Sequence, residues 1–257
     1  MSSFGTRPVA ALLGLGAAAY TAWVLEVVLA TGLDPIRTYV SELAAEDQPL
    51  GGLFRATDFT AGLLVFAGAL LALVRWAQGL RESDAPRAPQ EAGARGKAGA
   101  PGKAGATEEG GRRPWVLAGW VGLLLFGAAT AADAWLPLSC APTVDPVCAA
   151  RETAGLVPAT HRAHAISSTL AMTGALTGVV ALTVAARRYG RWAPLARTGP
   201  FLVALELAAT AWTLAAVGAF TAGRGTWSLG AGQRLQVLLV AVWLGVLAYS
   251  VFKERRT

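Results

Sequence analysis

Six apolar stretches, each long enough to cross a bilayer, take up about half of the chain. Read from the placement of charges, they run 8–30, 57–74, 114–136, 165–186, 198–222 and 235–252. A hydrocarbon core of ~30 Å needs ~20 residues at ~1.5 Å rise each. Only helices and closed barrels satisfy their own backbone in lipid. These stretches are continuous rather than alternating, so a barrel is excluded. The expected fold class is therefore all-α, a polytopic bundle of six transmembrane helices forming one domain over residues 1–257. A composition of 54% hydrophobic and 15% charged residues agrees.

The net charge of +6 and pI of about 9.9 invite a nucleic-acid reading. The distribution argues against it. With the N-terminus assigned to the cytoplasm, sixteen of the 22 Lys and Arg residues fall inside and six outside. That is the positive-inside pattern. It predicts both termini in the cytoplasm, anionic lipid as the partner of the basic charge, and no nucleic acid. The first stretch is too long for a signal-peptide core, and no clean small-residue cleavage site follows it. It is expected to be retained. Residues 82–113 are Ala, Gly and Pro mixed with charges and contain no large apolar side chain. Nothing there offsets the entropy of ordering, which predicts a disordered cytoplasmic linker.

Trp76, Trp115, Trp135, Trp192 and Trp227 lie at the ends of spans, where interfacial anchors belong. Gly174 and Gly178 make a G-x-x-x-G pattern, and Gly122 and Gly127 lie on the preceding span; small residues of this kind permit close helix approach. No internal repeat is apparent. With three Lys against nineteen Arg and an excess of Ala and Gly, the composition is associated with GC-rich bacterial genomes, and a bacterial plasma membrane is expected.

The ionisable residues at membrane depth are few, and these mark function. Glu26, Asp58, Asp133, His161 and His164 all map to the outer ends of spans, and Glu206 lies nearer the middle. His161 and His164 are the only histidines. Their i, i+3 spacing lets both face one way, with Ser167 and Ser168 extending that face. Imidazole beside carboxylate suits acid/base work. It also suits zinc or a structural polar cap, but two histidines are a weak zinc signal, so no metal is assigned and no cofactor is named. Asp133, His161, His164 and Glu26 are the candidate catalytic groups. Asp58, Ser41, Glu42, Ser168 and Glu206 are candidates for substrate contact. For Glu206, a hydrogen-bonded packing role is the equal alternative. Asp133, His161 and His164 are expected to share one cluster with Asp58 or Glu26.

In the first outer loop, Asp34-Pro35 favours a turn, and a short interfacial helix is expected around 36–44. Ser41 in it serves as a polar contact or as a nucleophile, although it lacks the G-x-S-x-G context. Cys140 and Cys148 share the loop between the third and fourth spans, on the oxidising side and without metal-ligand neighbours. A disulfide is expected there, with two free thiols as the alternative.

Two segments carry a resemblance. YVSELAAEDQPLGGLFRATD and DAWLPLSCAPTVDPVCAARETAGLVPATHRAHAISS resemble the Ser-Glu-Leu-Gly and Asp–Leu-Pro–Cys–His-x-x-His-x-x-Ser regions of a six-span bacterial membrane family catalogued as domain of unknown function 998. Its motif residues here are Ser41, Glu42, Asp133, Cys140, Cys148, His161, His164 and Ser168. Ala44 stands where the family usually has Gly. Ser139 stands where many members have Asp, which weakens a metal reading. The resemblance implies an integral membrane protein and supplies no activity. Three classes stay open: a membrane-embedded enzyme acting on a lipid or isoprenoid by acid/base chemistry, a transporter or export accessory protein, and a structural or regulatory component. An outer-facing pocket favours the first, because the polar residues gather at one depth. A hydrophobic small molecule is then the expected substrate, with membrane lipids as neighbours.

Overall fold

The computed structural model describes residues 6–84 and 113–254. Seven α-helices form among the described residues: α1 Thr6–Tyr20, α2 Gly51–Asp84, α3 Pro114–Asp133, α4 Pro146–Thr153, α5 Ala159–Arg188, α6 Ala193–Thr221 and α7 Leu229–Lys253. Two 3₁₀ segments, Ala22–Val27 and Val40–Ala44, flank the first long loop. Among the described residues there is no strand. Six helices are long and apolar enough to span a membrane, α1 doing so only with its 3₁₀ extension to Val27. The protein is an all-α multi-pass membrane protein.

α2, α5 and α7 begin earlier and end later than the charge-based stretches suggest, whereas α1 and α3 end earlier, at Tyr20 and Asp133. α2 runs from Gly51 and α5 from Ala159, because charged and polar residues at their ends find partners instead of ending the helix. The expected linker at 82–113 is shortened by helix at its start, where α2 continues to Asp84; residues 85–112 lie outside the described part. The expected interfacial helix at 36–44 is a turn followed by 3₁₀. Asp34 caps the turn, with Oδ1 accepting from Ile36 N at 2.8 Å.

The six spanning helices form a closed ring. α1 packs on α2, α2 on α3, α3 on α5, α5 on α6, α6 on α7, and α7 returns to α1. Glycine sets the distance of two seams. A Cβ on Gly174 would lie 2.5 Å from Phe126 N, and one on Gly122 would lie 2.7 Å from Gly178 N. The α2–α3 seam repeats this with Gly62 and Gly127, where added Cβ atoms would come within 2.5 Å of Ala131 N and Phe66 N. The obstacles are backbone atoms, which cannot turn aside. Where lipid supplies no hydrophobic drive between helices, such approach is what holds them. The G-x-x-x-G expectation is met on α5.

One end of the ring is sealed. Leu13, Leu123, Leu182, Leu195, Leu244 and Leu247 are fully buried there. Glu254 closes this end by accepting from Arg191 Nε and Trp192 Nε1, both at 2.7 Å. Trp192, expected as an interfacial anchor, is therefore buried, edge-on to Trp120. Trp135, at 71% exposure, and Trp227 do face outward. The opposite end carries the loops 28–50, 134–158 and 222–228, and there the ring encloses space.

Gly174→Ala should lower the melting temperature in detergent, through an overpacking cost of about 1–3 kcal/mol. Gly245→Ala, where an added Cβ meets nothing within 4 Å, should not lower it. Equal behaviour of the two variants would remove the backbone-contact account of the α3–α5 seam.

Candidate functional site

The enclosed space is a cavity of about 480 Å³ at the loop end. Every helix of the ring contributes to its wall, as does the 3₁₀ segment Val40–Ala44. Its polar groups include Ser41, Asp58, Asp133, His164, Ser168, Thr210 and Gln236. Its apolar wall includes Leu43, Phe54, Met172 and Val237, with Tyr20 and Trp23 adding aromatic rings.

Asp133 ends α3 and faces the first turns of α5. Its Oδ1 accepts from Ser167 Oγ, and its Oδ2 accepts from Ser168 Oγ at 2.7 Å. His164 Nδ1 lies 3.5 Å from Asp133 Oδ1 and 2.9 Å from Leu136 O. A carbonyl can only accept, so Nδ1 carries a proton. His164 Nε2 lies 3.3 Å from Ser168 Oγ. The Ser168 hydroxyl thus stands between a carboxylate and an imidazole nitrogen, an arrangement that lets a proton pass in either direction. Asp58, on α2, faces the same cavity and is an electrostatic neighbour of Asp133. It makes no hydrogen bond to the described residues.

Of the expected cluster of Asp133, His161 and His164 with Asp58 or Glu26, the structure brings together Asp133, His164 and Asp58, and Ser41 and Ser168 line the cavity with them. Other candidates lie elsewhere. His161 faces the same way as His164 but stops at the loop. Ser139 N donates to His161 Nδ1 at 3.1 Å, so the ring anchors the turn above the cavity and does not line it. Glu26 is not in the cluster. Both its oxygens accept from Arg234, at 2.6 and 2.7 Å, and Arg234 Nη1 also donates to Thr38 O at 2.8 Å. Arg234 is only 7% exposed. Removing one member of so buried a pair typically costs ~3–5 kcal/mol, because the other charge is left alone. Arg234, one of the six basic residues that the charge count places outside, is thus the buried counter-ion of Glu26.

Glu42 is a brace, not a cavity residue. It is 0% exposed. Its Oε1 accepts from Thr143 N at 2.8 Å, and its Oε2 accepts from Tyr39 N at 3.1 Å and from Thr143 Oγ1. It ties the first loop to the loop closed by the Cys140–Cys148 disulfide, which the structure contains as expected. Glu46 N adds a bond to Leu138 O at 2.9 Å. These ties form the roof of the cavity. Burial pushes the Glu42 carboxyl up to about 7, against the pull of its three hydrogen bonds.

Glu206 is buried, and both its oxygens lack a hydrogen-bonding partner in strict geometry. Thr210 and Gln236 are its polar neighbours, and these two line the cavity although Glu206 does not. Thr130 Oγ1, Thr213 Oγ1 and Trp23 Nε1 are likewise buried, unpartnered, and carried by residues of the wall. The sequence offered no means to single out these last three, since threonine is common in apolar helices. Among the described residues no group of three or more His, Cys, Asp or Glu side chains is arranged to hold a metal ion.

A family model described as "Protein of unknown function (DUF998)" matches residues 13–88 and 102–250. The chain belongs to this family. No curated protein and no solved structure matches it. Membership in DUF998 carries no activity. In this DUF998 chain the motif residues divide by role: Asp133, His164, Ser168 and Ser41 at the cavity, and Glu42, His161 and the two cysteines in its roof.

Glu42 generates a pH prediction. Its carboxyl binds a proton more tightly in the folded chain than in the unfolded one, so its contribution is complete at low pH and is lost as pH rises toward 7. The wild-type melting temperature should therefore fall more between pH 5 and pH 8 than that of Glu42→Gln. Equal falls in the two proteins would refute the assignment.

Proposed function

We propose that this protein is a membrane-embedded enzyme that takes a lipid or isoprenoid substrate into the cavity and acts on it by acid/base chemistry. The observation that carries this reading is the Asp133–Ser168–His164 chain beside the unengaged Asp58, in one cavity at one depth. Asp133 and His164 would exchange a proton with the substrate through or beside Ser168, and Asp58 would hold the reacting group in place. Asp58 is unengaged and at membrane depth, where an ionisable group needs a partner or water and so marks function.

A transport path, the second reading, would need polar residues through the whole bundle. Polar lining of the cavity continues only as far as Thr210 and Gln236; beyond them the buried polar groups Glu206, Thr183 and Ser250 are scattered among close-packed leucines and line no continuous path. That favours a site over a conduit. A solely structural role is disfavoured by the empty volume, since close packing is what a scaffold would select.

The excess of basic residues at the sealed end supports a bacterial plasma-membrane protein with that end, and both termini, in the cytoplasm. A cysteine introduced at Gly32 should react with a membrane-impermeant thiol reagent in intact cells. Labelling only after the cells are opened would reverse the orientation.

For the chemistry, purified protein should be incubated with a total lipid extract of its host membrane and the products followed by mass spectrometry. Wild type should consume at least one lipid. Ser168→Ala, which breaks the relay and leaves both end groups, should slow that conversion by about 10²-fold, the lower range for general acid/base catalysis. Asp133→Asn should abolish it. If no lipid changes, or if both variants match wild type while remaining folded, the enzymatic reading fails.

A further inference from the structure

The cavity has a charge character and an opening, and together these narrow what it takes. Its wall carries two carboxyl groups, Asp58 and Asp133, and neither Lys nor Arg. Two arginines of the loop end are occupied elsewhere: Arg234 on Glu26, and Arg55 on Ala44 O at 2.7 Å. His164 is the only basic side chain of the wall, and it is held by Leu136 O and Asp133. Asp133 is served by two hydroxyls, while Asp58 has no hydrogen bond to the described residues. Independently of the acids, Thr130 and Thr213 belong to the cavity wall at 6% and 7% exposure and carry buried hydroxyls without partners. A hydroxyl oxygen and a free carboxylate are acceptors for N–H donors, and Tyr20 and Trp23 supply the aromatic rings that ammonium groups favour. A phosphate or carboxylate head would meet two acids and no free cation.

The opening lies between α5 and α6, the least extensive seam of the ring. These helices touch near the sealed end, where an added Cβ on Gly199 would lie 2.7 Å from Thr183. Toward the loop end Thr169 and Thr173 of α5 and Leu214 of α6 line the cavity and are also exposed on the outside of the ring. The cavity therefore runs sideways to the surface that faces lipid. At about 480 Å³ it has room for a head group and part of one chain.

We infer that the occupant is a single-chain amphiphile with a protonated amine head, the ammonium seated at Asp58 beside Asp133 and the tail leaving between α5 and α6. This rests on the reading of the cavity as a lipid-binding site and is independent of whether the bound molecule is then converted. An amine-bearing membrane lipid and a water-borne amphipathic amine share this chemistry.

The test is equilibrium binding to the full-length protein in phosphatidylcholine nanodiscs, with dodecylamine, dodecanol, dodecyl phosphate and butylamine as probes. Dodecylamine should bind at least tenfold more tightly than dodecyl phosphate and than butylamine. Asp58→Asn should weaken dodecylamine about tenfold and leave dodecanol unchanged. Leu214→Trp, which narrows the opening, should weaken dodecylamine and dodecanol alike. Adding sphingosine, a single-chain amine without phosphate that stays in the bilayer, should compete with dodecylamine if the natural occupant is a membrane aminolipid, and should leave it undisturbed if the occupant arrives from water; either result is compatible with the ammonium site. Binding of dodecyl phosphate as tight as that of dodecylamine would overturn the proposal. So would an Asp58→Asn variant that is folded by its melting curve and binds dodecylamine like wild type. Asp58-dependent amine binding without conversion of any lipid leaves this inference standing and removes the enzymatic one. Conversion of a lipid without amine selectivity does the reverse.

Discussion

A carboxyl group at membrane depth has to be given a partner, and the loop end of this protein is arranged around that requirement. Glu26 has Arg234, with both guanidinium edges used: one on the carboxylate, one on the Thr38 carbonyl. Glu42 has two backbone amides and a hydroxyl from two different loops. Asp133 has two serines and an imidazole. In each case the partner comes from a distant stretch of chain, so satisfying the charge also fixes where α1, α3, α5 and α7 end relative to one another. Asp58 alone among these acids is turned to empty space.

The ring explains why that space exists. Glycine seams bring α2, α3 and α5 to backbone contact, and large side chains fill the sealed end. Toward the loop end many inward residues are small, among them Thr130, Ser168, Ala171 and Thr213, and the larger ones beside them do not close the ring. The roof is stiff, because a disulfide, a buried glutamate and a histidine each cross-link it. A rigid roof over small side chains keeps the cavity open without a ligand to hold it.

Much of this was legible in the sequence because lipid imposes strict terms. Length and apolarity gave the six spans, the shared loop gave the disulfide, and the glycine spacing on α5 gave a helix seam. Asp133 and His164 could be paired because α3 ends and α5 begins at the same end of the bundle. Partners of the charged residues were harder to read. Arg234 looks like a loop cation in a charge count, and only its depth in the folded chain shows it to be the counter-ion of Glu26. Glu42 looks like a loop acid until Thr143, about a hundred residues away, closes on it. Helix ends were also misjudged: α5 starts at Ala159, before both histidines, because their rings are bonded to the 134–139 segment. Long-range pairing of this kind leaves no local pattern in one sequence.

The sideways opening between α5 and α6 changes how affinity at the cavity is to be measured. A molecule that enters from the bilayer is already concentrated there. Each methylene is worth ~0.8 kcal/mol on leaving water, roughly a fourfold enrichment per carbon. The free energy of the tail is therefore gained by the membrane before the protein is met, and the cavity needs to discriminate only among head groups. For the proposed amphiphile, occupancy would then follow its mole fraction in the leaflet, not its concentration in solution. A cavity that grips weakly in those units can still be filled most of the time.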